Sequence, residues 1–489
     1  MADVKYIGKS TRSKEGPRHV TGRGNFTDDI VLPGMLQAMI LRSPYAHARI
    51  VSADAGEALK LPGVVTALTP SDVATMTKPF KPGRYAAGLR KPIPEYATAV
   101  DKVRYMGEPV AAVAARDRGT AEDALDGISI EYEPLPPVVD TADAIRPGSA
   151  LLFDELESNI AWTGRLTYGD VESAFKSADK IVKENLKIHR YSSTPLEPFA
   201  CVASFDAASK KLTVWVNAQV PEVIYDALRE AFELDDIRVI IPDIGGGFGQ
   251  KIHLIRKYVV ITSLLAIKSG RPVKWIEDRS EHMMAAGHSC AQAFDVAAAV
   301  KKDGTVLGLK FKEIDDVGGS TSTLTIHFTN KLNNLVNTYK VKNISLEGWS
   351  VVTNKCPVIP NRGIGKPGMC YIWERIMDRI AEELNLSPIE VRSINLIQPD
   401  EMPYETPSGN IYDSGDYPAL LARVLEKVGY DKLREEQKRE REKGRFLGIG
   451  VVIGVEPGGR NAARDMAIFP EMTESPGAGG VNGATIKLE

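Results

Sequence analysis

Apolar residues along the chain follow two spacings, and the changes between them mark the predicted elements. Short alternating or continuous apolar runs, which are typical of strands, cover residues 35–41, 110–115, 212–216, 237–242 and 272–276. Runs with the three-to-four-residue spacing of a helix cover residues 121–126, 221–232, 252–267, 372–384 and 419–428. Because strands and helices are interleaved, the pattern predicts an α+β protein.

Turn residues sharpen several of these boundaries. Pro221 stands in the first turn of one predicted helix, and Gly270 follows the end of another, positions that suit each residue. A Lys-Asp-Gly turn at 302–304 divides an alternating stretch, residues 291–312, so this stretch is predicted to be a β-hairpin. The charge run 434–443 is predicted to be a solvated helix rather than a docking tail.

Five regions are predicted from the distribution of these elements. Residues 1–19 are polar and basic and are expected to be an extended lead-in. Residues 20–139 form a first α+β domain, which a proline-rich stretch closes, and residues 140–150 are a linker. A second domain covers residues 151–400, and residues 401–489 begin a third.

Composition narrows the classes of function. Lys and Arg number 61 against 64 Asp and Glu, so the net charge of −3 does not provide the basic field that nucleic-acid binding needs. The longest apolar stretch, residues 258–267, is too short for a membrane span. The N-terminus lacks the apolar core of a secretory signal, so we expect a cytoplasmic protein with no nucleic-acid partner.

Cysteine and histidine spacing argues against a metal site or cluster held by these side chains. The four cysteines, at 201, 290, 356 and 370, form no CxxC pair, and we expect them to be reduced and structural. None of the seven histidines stands three or four residues from another, and no Ser-His-Asp set is evident. If the protein does electron chemistry, iron-sulfur clusters must lie on another polypeptide.

A glycine cluster, Gly245-Gly-Gly-Phe-Gly-Gln-Lys, follows a predicted strand and precedes a predicted helix. Glycines allow close backbone approach and helix starts attract anions, so a phosphate-bearing cofactor is one interpretation. The dinucleotide fingerprint fails because Gln250 and Ile252 stand where glycine is required, and Lys251 lacks the flanking residues of a P-loop. A tight structural turn is the alternative interpretation.

Two isolated polar residues are further candidates. Gln219, between a predicted strand and a predicted helix, can donate to or accept from an oxo group or the edge of a cofactor, although a helix-capping role is the simpler interpretation. Arg362 lies in Asn361-Arg-Gly-Ile-Gly-Lys-Pro, and a guanidinium beside glycines suits phosphate groups. A surface turn explains this segment equally well.

The order of several segments along nearly the whole chain is more specific than any of them alone. In the first predicted domain they are Gly22-Arg-Gly-Asn-Phe-Thr-Asp-Asp, Leu41-Arg-Ser-Pro-Tyr-Ala-His-Ala, Tyr105-Met-Gly-Glu-Pro-Val-Ala and Ile130-Glu-Tyr-Glu-Pro-Leu-Pro. In the second they are Pro195-Leu-Glu-Pro, Asn217-Ala-Gln-Val-Pro, Gly245-Gly-Gly-Phe-Gly, Arg271-Pro-Val-Lys-Trp, and Pro360-Asn-Arg-Gly-Ile-Gly-Lys-Pro with Glu374-Arg. This order resembles the molybdopterin-binding large subunit of the xanthine dehydrogenase, aldehyde oxidase and carbon monoxide dehydrogenase family.

The resemblance implies a fold and a set of site residues. Residues 20–139 would be an α/β hammerhead domain, 151–400 a first molybdopterin-binding domain, and 401–489 the start of a second that another chain completes. The cofactor-binding residues it implies are Gln219, Gly246, Gly247, Phe248, Gly249 and Arg362. Of these, Gln219, Phe248 and Arg362 would border the molybdenum without coordinating it, because the pterin dithiolene holds the metal.

Two departures from the family bear on the substrate. In purine-oxidising members a glutamate follows the lysine of the glycine loop, whereas Ile252 stands here. An aromatic residue commonly precedes the arginine of the second motif, whereas Asn361 stands here, and no copper-binding cysteine is recognisable at 360–367. Ile252 and Asn361 are therefore expected to line a substrate pocket that suits neither purines nor carbon monoxide.

The implied activity is oxidative hydroxylation of an aldehyde or an N-heteroaromatic carbon with oxygen from water. The cofactor would be molybdenum-molybdopterin, with the cytosine dinucleotide as an alternative form, and electrons would pass to a small [2Fe-2S] subunit and an FAD subunit. The resemblance places no catalytic residue in this chain.

The family chain normally continues beyond this one, whose last residues, Ala484-Thr-Ile-Lys-Leu-Glu, would leave a sheet edge unpaired. We therefore expect a second molybdopterin-binding polypeptide to supply the general-base glutamate, as in nicotinate dehydrogenase, and this chain to be inactive alone. A redox-neutral, hydratase-type enzyme and a non-catalytic scaffold of the same fold are the alternatives.

Overall fold

The structure, a computed structural model, describes Tyr6, residues 8–81, Leu89 and residues 93–456. Its strands are β1 (Leu36–Arg42), β2 (Ala48–Asp54), β3 (Val64–Leu68), β4 (Lys102–Val103), β5 (Pro109–Ala115), β6 (Ser129–Pro134), β7 (Ile160–Tyr168), β8 (Lys180–Ile188), β9 (Ala200–Asp206), β10 (Lys211–Val216), β11 (Ile237–Ile240), β12 (Val273–Ile276), β13 (Gln292–Val300), β14 (Val306–Gly318), β15 (Asn343–Val352), β16 (Tyr404–Glu405) and β17 (Ile411–Tyr412). Its helices are α1 (Gly16–Val20), α2 (Gly56–Lys60), α3 (Pro70–Met76), α4 (Arg118–Leu125), α5 (Thr141–Ala144), α6 (Val171–Lys176), α7 (Pro221–Phe232), α8 (Ile255–Ser269), α9 (Arg279–Ala285), α10 (Ile326–Lys331), α11 (Lys366–Leu384), α12 (Pro388–Asn395), α13 (Tyr417–Val428) and α14 (Tyr430–Glu442). The predicted α+β class is confirmed.

The first of two compact units takes in three stretches of chain: Met1–Lys81, Pro94–Leu135 and Ser193–Gly287. Its main sheet has seven strands in the order β11-β10-β9-β12-β1-β5-β3. β1 pairs in parallel with β12 and antiparallel with β5, so strands far apart in sequence share one sheet. A second sheet has three antiparallel strands in the order β4-β2-β6.

Residue types explain the main elements of this unit. Every residue of β5 is buried, which accounts for its continuous run of Val and Ala. α7 begins with Pro221 in its first turn. α8 ends at Ser269, and the left-handed backbone of Gly270 (φ 65°) caps it, as the sequence predicts. α8 is buried along most of its length, which explains its largely apolar sequence.

The second unit consists of Pro82–Ile93, Pro136–Ser192 and His288–Glu489. Its five-stranded sheet has the order β7-β15-β14-β13-β8, with β14 and β15 parallel and the other pairs antiparallel. The predicted hairpin is confirmed as β13 and β14. One face of α11 joins the apolar core of this unit through Trp373, Ile376 and Ile380. α14 buries no residue, so the prediction of a solvated helix is also confirmed.

The extended lead-in predicted for residues 1–19 is wrong in one part, because Gly16–Val20 form the short helix α1. Pro17 stands in its first turn. The Arg18 guanidinium donates to both carboxylate oxygens of Asp243, with an Nη2–Oδ1 distance of 2.6 Å. A contact with a residue distant in sequence thus organises a segment that has little to bury. The predicted final strand, residues 484–489, lies outside the described residues.

Each predicted domain is one continuous stretch of chain, whereas each compact unit of the structure combines stretches that are far apart in the sequence. β1, β3 and β5, from residues 20–139, share a sheet with β9, β10, β11 and β12, from residues 151–400. The boundaries themselves stay predictions. Within the described ranges, no helix combines the length and the apolar character that crossing a bilayer requires.

Candidate functional site

The glycine cluster lies in the first unit, in the loop between β11, which ends at Ile240, and α8, which begins at Ile255. The sequence places the helix start at residue 252, and this prediction is wrong because residues 248–254 form turns and bends instead. The first turn of α8 is therefore separate from the cluster. Any anion-binding donors at the cluster must belong to the loop itself.

The loop presents unpaired hydrogen-bond donors. The backbone N–H groups of Gly246, Gly247 and Phe248 have no acceptor in the part of the chain that the structure describes. Gly247 is buried, and a buried N–H without a partner is rare and costly. Phe248 has a φ of 56°, unusual for a bulky residue, and is 48% exposed. Both features are typical of a loop whose acceptor is a ligand.

Gln219 lies directly against this loop. Its Oε1 accepts from the N–H of Gly249 at 2.7 Å, so its Nε2 must face the other way and is free to donate. The residue is exposed, and its own N–H donates to the carbonyl oxygen of Lys251 at 2.9 Å. The N-cap of α7 is Val220, with no side-chain cap, so the capping interpretation of Gln219 is wrong.

Close packing explains why glycine stands at 247. A Cβ at this position would lie 2.6 Å from the side-chain carbonyl of Gln219, which is closer than Cβ atoms tolerate. The glycine therefore allows the glutamine to reach Gly249. Gln219 and the glycine loop form one hydrogen-bonded structure.

A buried ion pair between Lys251 and Glu197 contacts the loop, and the sequence does not predict it. Lys251 has a fully buried side chain, and its Nζ lies 2.8 Å from Glu197 Oε2. Glu197 belongs to the Pro195-Leu-Glu-Pro segment. This segment is one of those that resemble the family, but the sequence indicates no function for its glutamate. A charge in an otherwise apolar turn is the only signal that could have suggested this contact, since its partner is far away along the chain.

The remaining predicted residue of the first unit, Ile252, is half-buried in the turns that follow the loop. Its neighbour His253 is also half-buried. Burial, together with the nearby Arg256 guanidinium, lowers the pKa of His253 to about 4. The imidazole is therefore neutral at neutral pH, and the surface beside the loop carries no titrating charge from this residue.

Asn361 and Arg362 lie in the second unit, in the connection between β15 and α11. The N–H of Ile364 donates to the carbonyl oxygen of Asn361 at 2.7 Å, which closes a turn. Arg362 is exposed, and its guanidinium has no partner among the residues described. Since α11 is 19 residues long, its N-terminus adds a positive dipole end four residues after this arginine. This connection suits an anionic group.

Asn361 also contacts the phenol of Tyr191 by a side-chain hydrogen bond. The same phenol oxygen lies 3.8 Å from Cys290 Sγ. Cys290 and Ala291 both have positive φ values, 60° and 81°. The sequence does not predict this strained turn beside Asn361, because neither cysteine nor alanine favours a positive φ.

Both segments described above lie within a region that matches a known domain. Residues 152–396 match the molybdopterin cofactor-binding domain, and residues 21–136 match the a/b hammerhead domain of aldehyde oxidase and xanthine dehydrogenase. The chain is 31% identical to the nicotine 6-hydroxylase large subunit of Paenarthrobacter nicotinovorans, over 99% of this chain and 59% of that one.

Two further relatives are informative. The structure matches that of quinoline 2-oxidoreductase from Pseudomonas putida 86 with a TM-score of 0.83 and 33% identity, over 90% of this chain and 56% of that one. The nicotinate dehydrogenase large molybdopterin subunit of Eubacterium barkeri is 28% identical, over 88% of this chain and 99% of that one. The chain thus spans little more than half of the first two proteins and almost all of the third.

Proposed function

Because the chain belongs to the xanthine dehydrogenase and aldehyde oxidase family of molybdopterin-binding subunits, we propose that it is part of a heteromeric molybdenum hydroxylase. The proposed reaction is oxidative hydroxylation of an aldehyde or an N-heteroaromatic carbon, with oxygen derived from water. The observation that carries the proposal is the set of unpaired N–H donors at Gly246, Gly247 and Phe248, beside the free amide of Gln219.

These donors fit the molybdenum cofactor, whose oxo and phosphate oxygens are hydrogen-bond acceptors. The loop N–H groups and Gln219 Nε2 would hold it in the first unit. Taken by itself, the second unit offers Arg362 and the start of α11, which suit a phosphate group. When bound, this cofactor supplies the redox chemistry of the hydroxylation.

The chain's own residues orient the reactants and restrict the substrate. The exposed ring of Phe248 offers a flat apolar surface beside the donors, and half-buried Ile252 adds an aliphatic wall without charge. Asn361 supplies a neutral amide in the second unit. The apolar surface of Phe248 and Ile252 suits a flat aromatic substrate, and Ile252 offers no carboxylate for the polar edge of a purine. The names of two relatives, a nicotine hydroxylase and a quinoline oxidoreductase, support an N-heteroaromatic substrate.

The proposed partners are a second molybdopterin-binding polypeptide, a small [2Fe-2S] subunit and an FAD subunit. Support for the first comes from the nicotinate dehydrogenase subunit, a relative that this chain covers almost completely although other relatives are much longer. We place the general-base glutamate on that second polypeptide. This chain alone would then bind and orient but would not turn over substrate.

Metal and flavin analysis of the native assembly tests the proposal. The complex, purified through a tag on this chain, is expected to contain molybdenum, iron and FAD. Gln219→Ala should lower the molybdenum content or the reduction of the iron-sulfur centres by substrate by about tenfold, as expected for the loss of one hydrogen bond. Gln398→Ala is the matched control, because Gln398 belongs to the second unit and its Nε2 donates to the carbonyl oxygen of Leu396 at 2.9 Å.

The outcomes separate the alternatives. Molybdenum without iron or FAD would point to a redox-neutral, hydratase-type enzyme. A complex that contains no molybdenum would point to a scaffold and would overturn the cofactor assignment. An unchanged metal content and reduction rate in Gln219→Ala would contradict the role of this glutamine.

A further inference from the structure

We propose that the buried pair of Glu197 and Lys251 positions the glycine loop for its ligand, acting through the loop backbone without touching the ligand. The inference rests on the proposed function, in which the loop binds the cofactor. The pair is proposed to fix the loop backbone, so that the unpaired N–H groups keep one orientation.

The first observation is that Glu197 ties both ends of the loop to one carboxylate oxygen. Its Oε2 accepts from the N–H of Gly245, where the loop begins, at 2.7 Å. The same oxygen accepts from Lys251 Nζ, where the loop ends, at 2.8 Å. The segment carrying the unpaired donors is therefore closed across a single acceptor.

Packing shows that this closure is tight. A Cβ at Gly245 would lie 2.5 Å from Glu197 Cβ, so only glycine lets the carboxylate approach the start of the loop. The second oxygen of Glu197, Oε1, is buried and has no partner in the described structure. The described contacts of the Glu197 carboxylate are therefore those with the Gly245 N–H and the Lys251 ammonium.

The second observation is that the backbone of Lys251 is also the anchor of Gln219. The Lys251 carbonyl oxygen accepts from the Gln219 N–H at 2.9 Å, and Gln219 Oε1 accepts from the Gly249 N–H at 2.7 Å. Displacement of Lys251 would therefore move the glutamine and the loop together. The pair holds two of the proposed cofactor contacts through one residue.

Gln250, between these anchors, is held as well. Its Nε2 donates to the carbonyl oxygen of Gly287 at 3.1 Å, and its Oε1 lies 3.3 Å from His282 Nε2. His282 Nδ1 lies 2.6 Å from a carboxylate oxygen of Glu277. Residues 249 to 251 are therefore held by hydrogen bonds and an ion pair, whereas the N–H groups of Gly246, Gly247 and Phe248 are left free to donate.

Energetics favour a positioning role over a stabilising one. Burial lowers the pKa of Lys251, since desolvation disfavours its charge, and Glu197 opposes that shift. Buried ion pairs contribute little net stability, because desolvation offsets most of their attraction. A fully buried lysine beneath a ligand loop is therefore best explained by the geometry it imposes.

A second buried pair in the same unit provides a matched control. Lys257 Nζ lies 3.8 Å from Glu108 Oε1, and both side chains are about as buried as the first pair. Glu108 also accepts a backbone N–H, that of Arg104, at 2.7 Å. Neither member of this pair hydrogen-bonds to the glycine loop.

Hydrogen exchange of the full chain, in the complex as purified, tests the inference. Peptides that cover residues 243–251 are compared in wild type, Glu197→Leu, Glu197→Gln, Lys251→Met and Glu108→Leu. We expect exchange in these peptides to rise about tenfold in Glu197→Leu and Lys251→Met, as for a local opening. Glu197→Gln should show a smaller rise, because its carbonyl oxygen can still accept from Gly245. Glu108→Leu should leave them unchanged.

Unchanged exchange in Glu197→Leu and Lys251→Met would overturn the inference, as would an equal rise in Glu108→Leu. If the leucine variant does not fold, Glu197→Gln decides by the same comparison, since it keeps the volume of the side chain. Molybdenum is measured in the same samples. A loop that opens in variants of a complex whose wild type lacks molybdenum would support the positioning role and refute the cofactor assignment.

Discussion

Phe248 combines a large side chain with a backbone conformation that usually belongs to glycine. Such a conformation costs roughly 1–3 kcal/mol and persists only where neighbouring contacts impose it. The hydrogen bond from Gly249 to Gln219 provides one such contact, directly after the strained residue. At the residue scale, the loop is therefore held ready for a ligand before the ligand arrives.

Substitution of Gly247 tests this contact. In Gly247→Ala the new methyl group would displace the exposed Gln219 side chain and break its hydrogen bond with Gly249, at a cost of about 0.5–1.5 kcal/mol in unfolding free energy. We expect cofactor content to fall further than stability does. Thermal melting and molybdenum analysis measure the two effects. Gly119→Ala is the control, because among the described residues a Cβ there would meet the Asp117 side chain alone, at 3.7 Å. Equal behaviour of the two variants would refute the argument.

His253 predicts a pH dependence of stability. Its pKa is lowered from 6.5 to about 4, so between these values the unfolded chain binds a proton that the folded chain does not. Stability should therefore fall as pH drops from 6.5 towards 4, by at most about 3 kcal/mol from this residue. Urea unfolding at several pH values should show a shallower slope in His253→Gln. Parallel curves for both proteins would contradict this assignment.

The sequence predicts the roles of some site residues but not of others. The glycine loop, Gln219 and Arg362 were identified because their order along the chain resembles a known family. Glu197 received no role, because nothing in its spacing indicates an ion pair with Lys251. Burial is what makes that pair significant, and burial depends on the tertiary fold.

At the scale of elements, α8 shows why helix starts are hard to predict. Its apolar spacing extends back to residue 252, yet the helix begins at Ile255, since the preceding residues are needed for the turns that return the chain from the glycine loop. Strand positions were predicted more closely, because buried strands such as β5 are apolar throughout. The short helix α1 escaped prediction because a single distant carboxylate organises it.

That carboxylate gives a prediction for α1. The Arg18 guanidinium and the Asn25 N–H both donate to Asp243, and they hold the pKa of this carboxyl well below its usual range. In Asp243→Asn the segment around α1 should detach, and trypsin should cleave at Arg18 or Arg23 about tenfold faster, as expected for a local opening. Asp236→Asn, which breaks an exposed pair with Lys211, is the control. Equal cleavage in both variants would contradict the prediction.

At the scale of the whole molecule, apolar spacing identified the class of fold but not the partners of each strand. Interleaved strands and helices predicted α+β correctly. The pairing of β1 with β12 could not be read from either strand, because both patterns fit many neighbours equally well. Resemblance to a family located the hammerhead and cofactor-binding regions, which the comparisons match at residues 21–136 and 152–396.

The parallel pairing of β1 with β12 also determines how early the seven-stranded sheet can close during synthesis on the ribosome. Leu36 faces Val273 in this pairing, so about 240 residues must be synthesised before the central sheet can close. At about 5–20 residues per second, this delay lasts roughly 10–50 s. During that interval β1 exposes an open edge, which is a surface for chaperones and for misassembly between nascent chains.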